Sequence, residues 1–369
     1  MKPLPGAGPV LGAGPVMGAG PVPGAGPVMG AVALLGAALL LNGCGSYADF
    51  TLPKPEGMRR DVRPRMEAAP EPVLRRGAAG EFDGVDALNP SLVRRPEQWF
   101  NFYSGFDGKT WHTGLATSPD GAAWAKQGKV LSPDASTWEG NYIAANGTAL
   151  WYKGEFYYWY QAGTPPRIGL ARSKDGRAWR KEPRPVVPFG PRGAWDERAT
   201  ADPYVIESRG VLYLYYLGED RARRQRLGLA RSNDGVHWEK LRGSPVLGLG
   251  PAGTFDENGL GEPAVWQAAG WWWMLYTGRD RAENRRIGIV RSLDGVQWER
   301  LKETAIFAGT APWMAKVVCD PHVEPGEDGG FRIWFGGGSI PHPAENIEGA
   351  IGYATLELMP TDLPARQTP

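Results

Sequence analysis

The sequence predicts an all-β fold from its composition and from a repeated pattern of short strands. Aromatic residues are abundant, with 16 Trp and 13 Tyr, and such side chains suit the pleated surface of a sheet. The chain also has 52 Gly, which supply the positive φ angles of tight turns. Both features favour strands and hairpins over helices.

A Ser-x-Asp-Gly-x-x-Trp motif occurs four times, beginning at Ser118, Ser173, Ser232 and Ser292. Its Asp-Gly pair is typical of a hairpin turn in which Asp caps its own backbone. The pattern returns about every 55 to 60 residues, a period that favours a propeller or another repeat array. We therefore assign these Asp residues to structural turns.

Strand-like segments surround each motif. An alternating run, such as residues 168–172, precedes three of the turns, and a fifth copy at 351–354 lacks the turn. An aromatic strand lies further upstream in each unit, and a first strand precedes it. Residues 81–358 are thus predicted to fold as a five-bladed β-propeller of four-stranded antiparallel blades.

Aligning the five units on their first strands gives one equivalent position in each. In three units a Phe-Asp or Trp-Asp pair precedes an Asn-Pro, Asp-Pro or Glu-Pro pair at the same spacing, and the frame extends to the other two. The innermost strand of each blade runs along the central channel, so equivalent positions form a ring. The five positions are Asn89, Asn146, Asp202, Glu262 and Asp320.

The carboxylates of this ring suit the hydrolysis of a glycosidic bond. That reaction needs one protonated carboxylic acid for the leaving oxygen and one carboxylate that activates water or attacks the sugar. Asp202 and Glu262 lie on adjacent predicted blades, where repulsion and burial would raise one pKa towards that of a general acid.

At these residues the chain resembles the five-bladed glycoside hydrolases of families 43, 32 and related groups, which include arabinanases, xylosidases, invertases and levanases. The likeness covers residues 81 to about 356. It implies that Glu262 is the general acid and that Asp202 modulates its pKa or stabilises the transition state. It also implies a catalytic Asp on the first blade.

Asn89 stands where the resemblance places that Asp, and an amide cannot accept a proton as a carboxylate does. Two interpretations stay open. Either a nearby carboxylate serves as the base, with Asp86 as the first candidate and Asp83 or Asp107 as others, or the site binds glycans without cleaving them.

Further residues are predicted to bind substrate or a cation. Asn89, Asn146 and Asp320 complete the ring, and Arg198, Arg279 and the pair Arg285–Arg286 lie near strand ends where they could contact an acidic sugar. His322 follows Asp320 by two residues, hence on the same face of the strand, and is a candidate metal ligand. No cofactor is required, although a carboxylate-lined channel suits a structural Ca²⁺.

The N-terminal region predicts export and lipid anchoring. Gly-Ala-Gly-Pro-Val repeats and the apolar run 31–41 precede Cys44, an ending that resembles a bacterial lipobox. The prediction is a signal peptide at 1–43, a lipidated Cys44, a disordered tether over 44–80 and a C-terminal tail at 359–369. The mature protein would then be a membrane-anchored lipoprotein of the cell envelope.

Charge makes nucleic acid an unlikely class of partner, because 41 basic side chains nearly cancel 40 acidic ones. A carbohydrate is the expected substrate or ligand. Besides a glycosidase, the sequence leaves open a lectin-like propeller that holds sugar in the same pocket and a propeller that binds other proteins.

Overall fold

The structure, a computed structural model, describes residues 46–301 and 304–361. Within these ranges it contains 22 β-strands and a single 3-10 turn, Pro312–Met314, so the predicted all-β class is confirmed. Among the described residues, no helix is long and apolar enough to cross a membrane. The predicted signal peptide, Cys44 and residues 362–369 lie outside the described residues.

The strands form five antiparallel units, preceded by two N-terminal strands. The N-terminal strands are β1 (Ser46–Ala48) and β2 (Val62–Ala68). Unit 1 contains β3 (Asp86–Leu88), β4 (Leu92–Arg94), β5 (Trp99–Phe106), β6 (Trp111–Ser118) and β7 (Ala125–Leu131). Unit 2 contains β8 (Ala144–Tyr152), β9 (Glu155–Ala162), β10 (Arg167–Ser173) and β11 (Arg180–Lys181).

Unit 3 contains β12 (Ala199–Ser208), β13 (Val211–Glu219), β14 (Gln225–Ser232) and β15 (Glu239–Leu241). Unit 4 contains β16 (Gly259–Ala268), β17 (Trp271–Arg279), β18 (Arg285–Ser292) and β19 (Trp298–Arg300). Unit 5 contains β20 (Val317–Pro325), β21 (Phe331–Gly338) and β22 (Ala350–Pro360). One parallel backbone bridge, Arg285 with Val317, joins units 4 and 5 into a single hydrogen-bonded sheet.

The four Ser-x-Asp-Gly turns are structural, as the sequence predicts. In the second copy, Asp175 Oδ1 accepts hydrogen bonds from the next two backbone N–H groups after Gly176, and Ser173 Oγ accepts one from Gly176. The turns also join neighbouring units. Trp159 of unit 2, for example, donates its indole N–H to the carbonyl of Gly235 in the unit 3 turn at 2.8 Å.

Units 1 to 4 each bury an acidic side chain that accepts from a Tyr hydroxyl and from a Lys or Arg. In unit 3, Asp196 Oδ2 lies 2.5 Å from Lys240 Nζ and 2.9 Å from Tyr216 Oη. The equivalent trios are Asp83, Tyr103 and Lys126; Glu139, Tyr160 and Lys181; and Asp256, Tyr276 and Arg300. Asp83 therefore has a structural role and is not available as a catalytic base.

The prediction of a disordered tether over 44–80 is wrong for its described part. Strand β2 pairs antiparallel with β22 over its whole length, from Val62 opposite Pro360 to Ala68 opposite Ala354, and supplies the fourth strand of unit 5. Strand β1 pairs parallel with β15. Leu52 and Leu74 are buried, so this segment gains enough apolar contact to stay ordered. The pairing also carries β22 into the predicted tail at 359–369.

Candidate active site

The five ring positions share an unusual backbone conformation. Asn89 lies in the gap between β3 and β4, and each of the other four lies at a break in the register between its strand and the next. All five have a positive φ, a conformation that is uncommon in residues other than Gly, although Asn and Asp adopt it more readily than most. The φ angles are 49° at Asn89, 49° at Asn146, 45° at Asp202, 51° at Glu262 and 53° at Asp320. Repetition of this strained bulge in five units points to a function that needs these side chains in one place.

Hydrogen bonds join the ring from one unit to the next. Glu262 donates its backbone N–H to the carboxylate of Asp202. The N–H of Asp320 lies 3.3 Å from Glu262 Oε2, and the N–H of Asn89 lies 3.3 Å from Asp320 Oδ2. Each carboxylate thus faces the backbone of the following unit. Gly261 leaves room for this arrangement, because a Cβ there would lie 2.8 Å from Asp202 Oδ2.

A cavity of about 610 Å³ opens over this ring. All five ring side chains line it, as do Arg198 and Arg279 from the sequence prediction. The volume falls within the range usual for small-molecule sites. Behind the ring lies a cavity of about 40 Å³, which is lined by the same five residues together with His322.

The acidic groups of the ring repel one another in a site removed from bulk water. Burial and, next, the negative charge of Glu262 raise the pKa of Asp202 to about 8. The same two causes raise the pKa of Asp320 well above its ordinary value. The buried guanidinium of Arg285 opposes both shifts. Both carboxyl groups therefore bind a proton more tightly than an ordinary carboxyl group does.

The predicted Ca²⁺ fits these groups poorly. Among the described residues, Glu262, Cys319 and Asp320 form the group of three acidic, Cys or His side chains whose ligand atoms all lie within 4.8 Å of one another. This set offers only two oxygen-bearing side chains, and the Arg285 guanidinium already lies 3.9 Å from Cys319 Sγ, whereas Ca²⁺ takes six to eight oxygen ligands. The calcium ion stays a prediction without a supporting donor set.

His322 does not join these donors. Its Nε2 lies 3.2 Å from Glu324 Oε1, and its ring packs beside Tyr204 and Trp334 on the far side of the ring. The bulge reverses which face of β20 each side chain occupies, which the two-residue spacing from Asp320 did not anticipate.

The prediction of Asp86 as the catalytic base is wrong. Asp86 is fully buried, does not line the cavity, and accepts backbone hydrogen bonds from Asn346, Ile347 and Gly349. It holds the 346–349 loop against unit 1. The remaining candidate, Asp107, also lies outside the cavity lining and accepts from the Lys109 and Thr110 N–H groups.

The structure adds a polar network on the cavity wall that sequence reasoning missed in part. Arg198 pairs with Glu219 at 2.6 Å, Gln225 donates to Glu219, and Arg279 donates to Gln225 Oε1 at 2.8 Å. Gly259 leaves room for the hydrogen bond between Arg279 and Gln225, since a Cβ at this position would lie 3.0 Å from Gln225 Oε1. Glu219 and Gln225 occupy the ends of β13 and β14, and their position beside the ring follows from strand length.

Replacing Asp202 with Asn should stabilise the protein at neutral and alkaline pH. A carboxyl group whose folded pKa is raised to about 8 favours the folded state below its ordinary pKa of 3.8, and that advantage is lost as the pH rises through 8. Asn does not ionise, so we expect Tm of the variant to exceed that of the wild type by several degrees at pH 8 and the gap to shrink towards pH 4. Calorimetric scans across this range test it.

Asp120 serves as a control, because its pKa is shifted in the opposite direction to that of Asp202. Backbone N–H groups lower its pKa to about 2, so Asp120→Asn should lower Tm at neutral pH and lose its effect towards pH 2. If Asp202→Asn behaves like Asp120→Asn, with a lower Tm at pH 8, the electrostatic description of the ring is wrong.

Five antiparallel units, hydrogen-bonded into four sheets, surround a cavity lined by carboxylates. This arrangement defines an all-β protein of the propeller type with a site suited to cleaving glycosidic bonds. Residues 97–315 match the N-terminal domain of the glycosyl hydrolases family 32. The match covers more than half of the chain, which therefore belongs to this family. The predicted glycosidase class is confirmed, and a carbohydrate is the class of substrate or ligand that the family supports.

Individual relatives agree with this assignment. The chain is 29% identical over 228 residues to an uncharacterized protein of Mycobacterium tuberculosis strain H37Rv, covering 58% of this chain and 74% of the relative. It is 27% identical over 163 residues to sucrose-6-phosphate hydrolase of Escherichia coli, covering 40% of this chain and only 32% of that enzyme.

A solved structure of a thermostable family-43 glycoside hydrolase superposes with a TM-score of 0.56 and 17% identity, covering 78% of this chain and 98% of that chain. At this identity the likeness shows the fold. The resemblance to family 43 and family 32 propellers is thus confirmed at the level of architecture and family.

Proposed function

We propose that this chain hydrolyses a glycosidic bond of a poly- or oligosaccharide at the ring, with Glu262 as the general acid and Asp202 as the residue that modulates its pKa. One observation carries the proposal: Asp202, Glu262 and Asp320 line one cavity from three successive units. Glu262 is the middle member, and its charge contributes to the raised pKa of each of the other two.

In this proposal Asp320 replaces the catalytic Asp that the resemblance places at position 89, where this chain has Asn. Oδ2 of Asp320 accepts from Asn89 and from the Cys319 thiol, whereas its Oδ1 is buried and has no hydrogen-bond partner among the described residues. A buried oxygen in this state is suited to a water molecule or to the anomeric carbon of a sugar. Asp320 is therefore the base or nucleophile and acts in its ionised form. Because its carboxyl group is in hydrogen-bond contact with that of Glu262, the proton that Asp320 gives up can pass to Glu262, which then serves as the acid.

The spacing of Glu262 and Asp320 favours retention of configuration. Carboxylate oxygens of the two residues lie within 4.8 Å of one another. Retaining glycosidases hold their two carboxyl groups about 5 Å apart, whereas inverting enzymes separate them by roughly 6.5 to 9.5 Å to admit a water molecule.

The N-terminal sequence supports a proposed location outside the cytoplasm. The apolar run before Cys44 suits an export signal, and lipidation of Cys44 would tie the enzyme to a bacterial membrane. The substrate would then be a glycan of the cell envelope or its surroundings.

A propeller that binds glycans without cleaving them is the second candidate. Asn89 favours it, because this amide lines the cavity at the position where the resemblance to family 43 and family 32 enzymes implies a carboxylate. The two candidates predict opposite effects for substitutions at 89 and 320.

Hydrolysis assays on arabinans, xylans, fructans and mannans separate the two candidates. We expect the wild type to cleave at least one of these glycans, Asp320→Asn to lose at least about 100-fold in kcat, and Asn89→Asp to gain nothing. Turnover that appears only in Asn89→Asp would establish the binding protein instead. Full activity in Asp320→Asn, with folding verified by circular dichroism, would remove Asp320 from the mechanism.

A further inference from the structure

The two sides of the main cavity differ in chemistry. Units 3 and 4 contribute the guanidinium groups of Arg198, Arg223, Arg279 and Arg285. The facing side, from units 1, 2 and 5, contributes no Lys or Arg to the described lining. Beyond the polar ring residues it includes the apolar side chains of Trp111, Ile143, Pro165 and Pro343. A ligand that fills this cavity therefore meets cations on one side only.

Carboxylates neutralise only part of the cationic side. Arg198 pairs with Glu219 at 2.6 Å, and Arg279 pairs with Glu283 at 3.0 Å. The exposed side chain of Arg223 has no hydrogen-bond or ion-pair partner among the described residues. Arg223 therefore offers a guanidinium group to whatever enters.

The position of Arg223 is fixed by its backbone. It lies in a turn with a φ of 63°, and its N–H donates to the Asp220 carbonyl at 2.9 Å. Asp220 Oδ1 accepts the N–H groups of Ala222 and Arg224 on either side. The equivalent turn in unit 4 places Glu283, not a second Arg, at the corresponding site, also with a positive φ of 62°.

The Arg side chains of the cavity wall are not all matched by a carboxylate. Arg198 and Arg279 each pair with one Glu, whereas the buried Arg285 donates to the His342 carbonyl and lies beside the Cys319 thiol. Arg223 is left uncompensated among the described residues, and burial also raises the pKa of Asp202 and Asp320, which weakens the negative charge beside it.

We propose that the cavity binds a sugar together with an oxyanion, carboxylate or phosphate, held by Arg223 and Arg279 beside the ring of carboxylates. This inference rests on the proposed function and specifies its substrate class. Guanidinium groups bind both anions through paired N–H donors. The anion is either a substituent of the sugar, as in a uronic acid or a sugar phosphate, or free phosphate bound next to a neutral sugar.

Contacts within the protein already position the Arg279 side chain for binding an anion. Its Nη2 donates to Gln225 Oε1, and a Cβ at Gly259 would lie 3.1 Å from the same nitrogen. The Arg279 side chain is only 17% exposed, so it loses little conformational freedom when an anion binds.

Titration calorimetry at pH 7 tests the proposal without requiring turnover. The probes are glucuronic acid, galacturonic acid and mannose 6-phosphate, each compared with its neutral parent sugar, and inorganic phosphate alone. We expect at least one anion to bind at least tenfold more tightly than its neutral counterpart. Arg223→Gln and Arg279→Gln should each reduce that preference at least tenfold. Arg221→Gln is the matched control, since Arg221 lies in the same turn, pairs with Glu197 outside the cavity and should change nothing.

The comparison of charged sugars with inorganic phosphate distinguishes the two possible sources of the anion. Tight binding of a charged sugar identifies a substituent, whereas tight binding of inorganic phosphate alone identifies a free anion. If every charged probe binds no better than its neutral parent, or if Arg221→Gln weakens binding as much as Arg223→Gln, the proposal is overturned. Cleavage of neutral glycans by the same preparation would then leave the proposed hydrolase intact.

Discussion

Glu262→Gln should lower kcat for glycan cleavage by about 10²- to 10⁴-fold, the usual contribution of a general acid. Gln has nearly the same shape and can keep the hydrogen bond from the Asp320 N–H, but it cannot donate a proton to the leaving oxygen. The loss should fall on kcat with little change in KM. Steady-state kinetics on the best natural substrate measure it.

The leaving group provides an internal check. Aryl glycosides with a nitrophenol leaving group need little protonation, so Glu262→Gln should lose much less activity on them. Glu299→Gln is the matched control, because Glu299 lies on β19, pairs with Arg291 and has a side chain 57% exposed. An equal loss on natural and activated substrates would argue against proton donation by Glu262.

Lys240→Met should lower the free energy of unfolding by about 3 to 5 kcal/mol, the usual cost of removing one partner from a buried ion pair. Lys240 is 1% exposed and Asp196 is fully buried. Without the ammonium group, Asp196 would keep only the Tyr216 hydroxyl as a side-chain partner in a site that water does not reach. Urea unfolding followed by tryptophan fluorescence gives the value.

Two further variants isolate the cause. Lys126→Met removes the equivalent cation of unit 1, but the Lys126 side chain is 29% exposed, so water can solvate Asp83 and the loss should be smaller. The double variant Lys240→Met with Asp196→Asn removes the stranded charge and should recover much of the stability. Equal losses for Lys240→Met and Lys126→Met would contradict the role of burial.

Repetition made the central part of the fold predictable. The Asp-Gly turns and the Asn-Pro, Asp-Pro and Glu-Pro pairs recur in register, and this was enough to align Asn89, Asp202 and Glu262. The positive φ that the five ring residues share does not follow from residue type alone, because Asn and Asp adopt it only in a minority of cases and Glu less often still. It emerges from the bulge that each unit repeats.

The sequence did contain a sign that part of the predicted disordered tether over 44–80 forms a strand. Residues 62–68 alternate apolar and charged side chains apart from Pro64, and the fifth unit lacks the Ser-Asp-Gly turn that leads to an outer strand in the other four. Together they indicate that an N-terminal strand completes the last sheet. Abundant Pro, Arg and Glu in this region concealed the pattern.

No comparable sequence pattern indicated that Asp86 is a structural residue and not the catalytic base. Its three backbone partners belong to residues 346–349, at the other end of the chain, and only the closed fold brings them together. An Asp on the first strand of unit 1 is equally compatible with catalysis and with anchoring a loop until that loop has been placed.

The ring combines strain and repulsion in a way that favours activity over stability. Five non-Gly residues with positive φ and two carboxyl groups of raised pKa each lower the stability of the fold. Such groups persist where a function requires them. The expected gain in Tm for Asp202→Asn, together with a loss of activity, is the result that this account predicts.

A crystal structure of Glu262→Gln with a bound oligosaccharide substrate tests the central claim most directly. We expect a sugar in the cavity of about 610 Å³, with its glycosidic oxygen within hydrogen-bond distance of residue 262 and its anomeric carbon facing Asp320. A sugar bound on another surface, with the ring left untouched, would contradict the assignment of this cavity as the active site.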